Sequence, residues 1–241
     1  MKADLHIHTK FSYDGVSSPA EIVRSAIEKG IDCICITDHH EIDGAIEAMK
    51  FGFDKDILVV PGIEILTDSG DILGINVRQI IPDGLSPKET ILRIRKAGGI
   101  AVIPHPFDKP FMGFWGGEKA IKAASPDAIE VFNASTIFKS SNKKALRLVQ
   151  GNNMCFTAGS DSHKKQFVGR GYMEFKEKIS SEKDLIKAIM EKTGKPGGRH
   201  LSLFEILKNS SNSNVKNMLH YCVERKRSIK EKKKTGVFGC Q

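Results

Sequence analysis

Histidines and carboxylates recur where the apolar runs of this chain end. Asp4-Leu5-His6-Ile7-His8 places two imidazoles two residues apart. Alternate side chains of a strand share a face, so both rings can grip one metal ion. Asp4 falls on the same face, where a carboxylate can orient a ligating histidine by hydrogen bonding. The competing reading is a polar edge strand. Thr37-Asp38-His39-His40 ends a second run, with one ring suited to a metal and the other to a substrate contact. Glu64, in Pro61-Gly62-Ile63-Glu64, ends a third; alone it would be a surface or capping residue, and only company makes it a bridging ligand. Pro104-His105-Pro106 holds an imidazole in a stiff turn, since both prolines restrict the backbone. Taken alone it is as well explained by a structural turn as by a ligand. Gly159-Ser160-Asp161-Ser162-His163 repeats the two-residue pairing of carboxylate and imidazole. Six of the eight histidines follow strand-like runs, which random placement would not favour.

Strand-like and helix-like segments alternate around these motifs. Ser18-Pro19-Ala20-Glu21 is a helix start, with a capping serine, a first-turn proline and a glutamate that completes a capping box. Gly30 stops that helix. Ser86-Pro87-Lys88-Glu89 and Ser181-Glu182-Lys183-Asp184 repeat the start signal. Further helices are expected over 41–49, 118–124 and 142–149. Strands are expected over 3–8, 31–37, 57–60, 100–103, 127–132 and 154–158. Repeated strand–helix units with continuous apolar runs predict a parallel-stranded α/β protein. In such folds the strand C-terminal ends form one face, where groups from different strands converge.

The 241 residues are ordinary for a globular protein, with 40% hydrophobic and 27% charged side chains. No apolar run approaches the roughly 20 residues of a membrane span. The polar N-terminus lacks a signal core, and the five cysteines form no disulfide framework, so a cytoplasmic location is expected. Cys33 and Cys35 read as buried, inert thiols. Gly194-Lys195-Pro196-Gly197-Gly198 marks a boundary between a body over 1–193 and an extension over 194–241. Residues 200–241 carry nine Lys/Arg and three Glu, so most of the +8 net charge lies there. That basic end reads as a solvated tail or as a weak phosphate contact for nucleic acid. A further helix is expected over Val215–Val223.

The order Asp-x-His-x-His, Thr-Asp-His, Gly-x-Glu, His-Pro and Gly-Ser-Asp-x-His, running from about Lys2 to Tyr172, resembles the polymerase-and-histidinol-phosphatase (PHP) family. The resemblance implies a distorted seven-stranded (β/α) barrel with two or three divalent metal ions at the strand C-terminal ends. By motif, His6, His8, Glu64 and Asp161 would hold the first ion. Asp14, in Ser12-Tyr13-Asp14-Gly15, would hold the second with His39 and His163. Glu64 would bridge towards a third position that includes His105, with Glu130 or Asn133 standing where some members offer another ligand. The mixed donor set favours zinc, manganese or iron.

The expected reaction is hydrolysis of a phosphate ester by a hydroxide shared between metals. Its substrate would be a nucleotide, short oligonucleotide or small phosphomonoester. His105 or His40 would protonate the leaving oxygen, and Arg170 would contact phosphate. Phe107, Phe111, Phe114 and Trp115 form either a base-stacking pocket or a hydrophobic cluster under a loop. A C–N hydrolase of amidohydrolase type, or an inactive PHP-like module binding nucleic acid or protein, are the competing functions.

Overall fold

The computed structural model describes residues 1–108 and 113–209. The helix start signals act as the sequence predicts. Ser18 caps α1 (Pro19–Glu28): its hydroxyl accepts from Glu21 N, and the Glu21 carboxylate accepts from Ser18 N. The Ser86 hydroxyl caps α3 (Pro87–Lys96) by accepting from Glu89 N, and the Ser181 hydroxyl caps α6 (Glu182–Met190) by accepting from Asp184 N. The other helices are α2 (Asp43–Gly52), α4 (Gly117–Ala124), α5 (Lys139–Asn152) and α7 (Leu203–Asn209). None of the described helices is long and apolar enough to cross a membrane.

The strands are β1 (Lys2–Ile7), β2 (Cys33–Ile36), β3 (Leu58–Thr67), β4 (Gly70–Ile75), β5 (Ile100–Ile103), β6 (Ala128–Asn133), β7 (Cys155–Gly159), β8 (Gly171–Glu174) and β9 (Lys195–Gly198). They form one sheet in the order β7-β6-β5-β4-β3-β2-β1-β8-β9. The first seven curl into a near-closed barrel. Closure occurs at the C-terminal end of β1, where Ile7 bridges Ser162, His8 N donates to Ser162 O at 2.9 Å and Asp161 N donates to His6 O at 2.8 Å. Lower on β1, Lys2 and Ala3 pair instead with β8. The ring is thus joined at one end and parted by β8 at the other.

One expectation is corrected. The sheet is mixed: β4 runs antiparallel to both β3 and β5, and β8 and β9 are antiparallel. β3 continues past Glu64 and reverses through Asp68-Ser69, where Thr67 pairs with Gly70. The boundary placed after residue 193 falls just before β9, which is hydrogen bonded into the same sheet. The chain is therefore continuous with the body through α7. The helix expected over Val215–Val223 and the basic cluster beyond it lie outside the described residues.

Packing follows from the strand faces. Leu5, Cys33, Cys35, Val60, Leu73, Val102, Ala128 and Ala158, drawn from seven strands, fill the barrel interior. Each fully buried leucine or valine side chain there stabilises the fold by roughly 1.5–3 kcal/mol. Burial pushes the Cys35 thiol up to about 12, which keeps it an inert packing group. Two outer clusters seat the helices on the ring. Phe114 lies in one of them and Phe107 packs against it, so these two rings belong to a hydrophobic cluster; Phe111 is outside the described residues.

Candidate metal centre

All eight residues expected to hold metal converge at the barrel's closed end. His6 Nε2 and His8 Nε2 lie 3.2 Å apart, so the period-two reading of this motif holds. Glu64 stands between strands: its Oε2 is 3.2 Å from each of these nitrogens and 3.6 Å from His39 Nδ1. Its Oε1 is 3.6 Å from His105 Nε2. Asp161 Oδ1 sits 3.5 Å from His6 Nε2 and 3.4 Å from His8 Nε2. Asp14 Oδ2 is 2.9 Å from His163 Nε2 and 3.3 Å from His39 Nε2.

These atoms form three overlapping groups, each with its donors within 4.8 Å of one another. One is His8, Asp14, His39 and His163; another is His6, His105 and Asp161; the third is His6, His8 and Glu64. The partition differs from the expected one, because His8 also reaches the Asp14 group and His105 joins His6 and Asp161. His6 and His8 are the shared members.

The electrostatics fit divalent cations. Burial alone would discharge His8, His105, Asp14, Glu64 and Asp161, yet the opposite charges win. His8 is pulled up to about 10 against the effect of burial by Asp161 and Glu64. His105 rises to about 9 against burial through Glu64 and Asp161. Burial likewise opposes ionisation of Asp161, Asp14 and Glu64, but the surrounding imidazoles hold all three carboxylates below their usual range. The carboxylates thus demand positive charge, and metal ions and protons compete for the same donors. Glu64 Oε1, although buried, has no hydrogen-bond partner among the described residues. An orphaned carboxylate oxygen facing an imidazole nitrogen within a donor cluster is what a bridging ligand looks like without its ion.

A surrounding layer of buried polar groups aims these donors. Glu130, 1% exposed, has Oε1 3.1 Å from His6 Nδ1, while its Oε2 accepts from His105 N at 2.9 Å and Asn133 Nδ2 at 3.0 Å. A carboxylate only accepts, so His6 carries a proton on Nδ1 and presents Nε2 to the cluster. Asn133 also donates to Asp161 Oδ2 at 3.1 Å, and its own oxygen accepts from Ser135 N. Glu130 and Asn133 therefore orient His6, His105 and Asp161, and neither belongs to the three donor groups. Gly159 lets β7 pass the first strand: a Cβ there would lie 2.4 Å from His6 Cβ. Asp38 is fixed by Thr9, which donates to it through N at 2.6 Å and Oγ1 at 2.7 Å.

Three sequence expectations fare differently. Asp4 does not orient an imidazole. It accepts from Ser160 N and Gly169 N, both at 2.8 Å, and so ties β1 to the chain beyond β7. The β1 register shifts between Asp4 and Ile7, which breaks the simple alternation that placed Asp4 with the histidines. Arg170 pairs with Glu205 of α7 at 2.8 Å, and Arg199 joins the same carboxylate at 3.1 Å. Its guanidinium is thus engaged by a helix carboxylate, where a phosphate contact was expected. His40 belongs to none of the three donor groups; its Nδ1 is 2.6 Å from Asp83 Oδ1, and its ring lies 5.7 Å from that of His39.

Comparison with known proteins agrees with this geometry. A family model described as PHP-associated matches residues 139–193. The chain is 42% identical over 144 residues to the uncharacterized protein MJ1587 of Methanocaldococcus jannaschii, covering 56% of this chain and 82% of that one. It is 36% identical over 91 residues to the 5'-3' exoribonuclease of Haemophilus influenzae, covering 38% of this chain and 32% of the relative. A two-domain protein of Bacteroides vulgatus containing a predicted PHP-like metal-dependent phosphoesterase superposes with a TM-score of 0.66 at 20% identity, covering 87% of this chain and 68% of that one. The chain belongs to the PHP family. In this PHP protein the family motifs coincide with the three buried donor groups.

Proposed function

We propose that this PHP protein hydrolyses a phosphate ester of a nucleotide, short oligonucleotide or small phosphomonoester, using two or three divalent ions. The observation that carries the proposal is the set of three overlapping buried donor groups sharing His6 and His8. The mixed imidazole and carboxylate donors favour zinc, manganese or iron. When bound, such ions would supply Lewis acidity and water activated at neutral pH. The partial likeness to an exoribonuclease supports a nucleotide or oligonucleotide as substrate.

The chain's own residues divide the remaining work. Glu130 holds His6 in one tautomer, and Asn133 fixes the Asp161 carboxylate through Oδ2, the oxygen turned away from His6 and His8. Glu64 spans the groups with both oxygens. His105 is 3% exposed and sits among the donors, so His40 is the better proton source for the leaving oxygen. Asp83 orients the His40 ring through Nδ1. Such proton transfer is typically worth about 10²–10⁴-fold.

The test is phosphate release from metal-stripped protein resupplied with manganese, zinc, iron or magnesium, against nucleotides, short oligonucleotides and histidinol phosphate. Turnover of one substrate class with one metal supports the reading. Metal binding with silence across the panel would overturn it. His40→Ala should slow esters with poor leaving groups far more than 4-nitrophenyl phosphate esters, which need no proton on departure. Equal losses on both would remove His40 from the proton-transfer role.

A further inference from the structure

The last described residue of the chain reaches the loop that carries Asp161 and His163. Asn209, at the end of α7, is 3% exposed. Its Oδ1 accepts from His163 N at 2.9 Å, and its Nδ2 donates to Asp161 O at 3.0 Å and to Ser135 Oγ at 3.1 Å. Ser135 Oγ in turn donates to Asp161 O at 3.0 Å and Ser160 O at 2.9 Å. One amide side chain therefore spans the backbone of the two-residue step that carries both Asp161 and His163.

That step is strained. Asp161 has a φ of 53°, in the left-handed region that a non-glycine residue rarely occupies without local support. Its conformation turns one carboxylate oxygen towards His6 and His8 and leaves the other to Asn133. The support comes from the carbonyl, held by Ser135 and Asn209. α7 is itself tied down beside the barrel by Glu205, which takes Arg170 and Arg199. Lys164, next to His163, donates to Lys208 O.

We infer that Asn209 is a positioning residue of the centre, and that docking of α7 and loading of metal favour one another. This rests on the reading of Asp161 and His163 as ligands. Asn209 fixes the loop that presents them, so it acts through those residues and touches no ion. Linkage makes the effect reciprocal: if docked α7 tightens metal binding, bound metal must hold α7 down to the same degree. Residues 194–209, the described part of the segment expected to be an appendage, are on this account part of the catalytic framework.

The full-length chain tests this with two readouts besides turnover. Manganese and zinc affinities are measured by chelator competition, and amide exchange is followed over residues 203–209 with and without metal. Asn209→Ala should weaken metal binding by about 10–100-fold, the usual effect of removing a group that orients a ligand. In the native chain, metal should slow exchange across α7; in the variant that slowing should vanish. Asn209→Asp, of nearly the same shape, keeps the acceptor for His163 N and loses the donors, so it separates loss of the contacts from a packing defect and should also bind metal more weakly. Phe204→Ser, at an exposed position of α7, should bind metal as the native chain does. Native affinity in both Asn209 variants, or exchange in α7 that ignores metal, would overturn the inference while leaving the metal centre intact. Failure of the native chain to bind any of these ions would overturn the centre itself, and this inference with it.

Discussion

Replacing Glu130 by glutamine isolates the layer behind the metal donors. The change conserves shape but alters what the group can accept. Glu130 receives three donors: His6 Nδ1 and Asn133 Nδ2 at 3.1 and 3.0 Å, and His105 N at 2.9 Å. A carboxylate offers two accepting oxygens, and a glutamine offers one. If the amide NH2 faces His6, the ring must shift its proton to Nε2, the atom presented to the cluster. If it faces His105 and Asn133, two buried donors meet a third. Each buried donor left without an acceptor costs about 1–3 kcal/mol. Loss of a group that orients a ligating histidine usually weakens metal affinity by about 10–100-fold, equivalent to about 1.4–2.7 kcal/mol. The assay is chelator competition with zinc and manganese on the native and Glu130→Gln chains, alongside denaturant unfolding of both in stripped form. Weaker binding by one to two orders of magnitude is expected, with stability lowered by about 1–3 kcal/mol. Unchanged affinity in a folded variant would refute the reasoning, because His6 would then need no fixed tautomer.

Asp161→Asn should loosen bound metal and abolish turnover, measured by metal content after gel filtration and by phosphate release; normal activity would contradict a ligand role. Gly159→Ala places a methyl group 2.4 Å from His6 Cβ and 3.0 Å from Glu130 Oε1, so overpacking should cost about 1–3 kcal/mol of unfolding free energy and disturb metal binding. A neutral effect there would show that β7 can yield. Glu21, exposed at the α1 cap, is held down to about 2 by Lys165 and Ser18. A depressed carboxylate stabilises the fold above its ordinary value of 4.5 and loses that contribution as pH falls towards 2. The stability gap between the native chain and Glu21→Gln should be under about 1 kcal/mol near neutral pH, since the pair is solvent-screened, and should close by about pH 2. A gap independent of pH would assign the effect to something other than this charge.

The metal donors were legible because their spacing encodes geometry. His6 and His8 share a strand face, and His39, His105, Asp161 and His163 follow strand ends, which in this ring is one place; Asp14, in the loop after β1, and Glu64, inside β3, were marked only by the resemblance to the family. The surrounding layer was not legible in the same way. Glu130 and Asn133 lie on β6 with no spacing motif, and their roles depend on a neighbour 124 residues away in the case of His6 and 28 in the case of Asp161. Asn209 stands 46 residues beyond His163 and is one asparagine among a polar run, so nothing local marks it. Asp4 misled because alternation assumes an unbroken register, and β1 shifts. β4 escaped because its apolar run gives no direction, and the turn that reverses it is only Asp68-Ser69. β9 escaped because Lys195-Pro196-Gly197-Gly198 has turn composition; its pairing with β8 is imposed by the sheet edge rather than by propensity.

The way the ring closes bears on how the chain reaches its native state. Ser160 and His6, which meet at the seam, are separated by 154 residues. Bringing them together confines a very long loop, and the entropic cost of that closure falls as the intervening chain becomes ordered, so the seam is expected to form late. None of the groups that combine His6 or His8 with Asp161 or His163 exists before that event. An ion captured between the first strand and the end of the seventh would consequently act as a late cross-link, fastening a seam that the parted lower end of β1 does not fasten. Interactions made after the folding barrier slow unfolding and leave the folding rate nearly unchanged. Metal should therefore lengthen the lifetime of the closed ring much more than it hastens its formation.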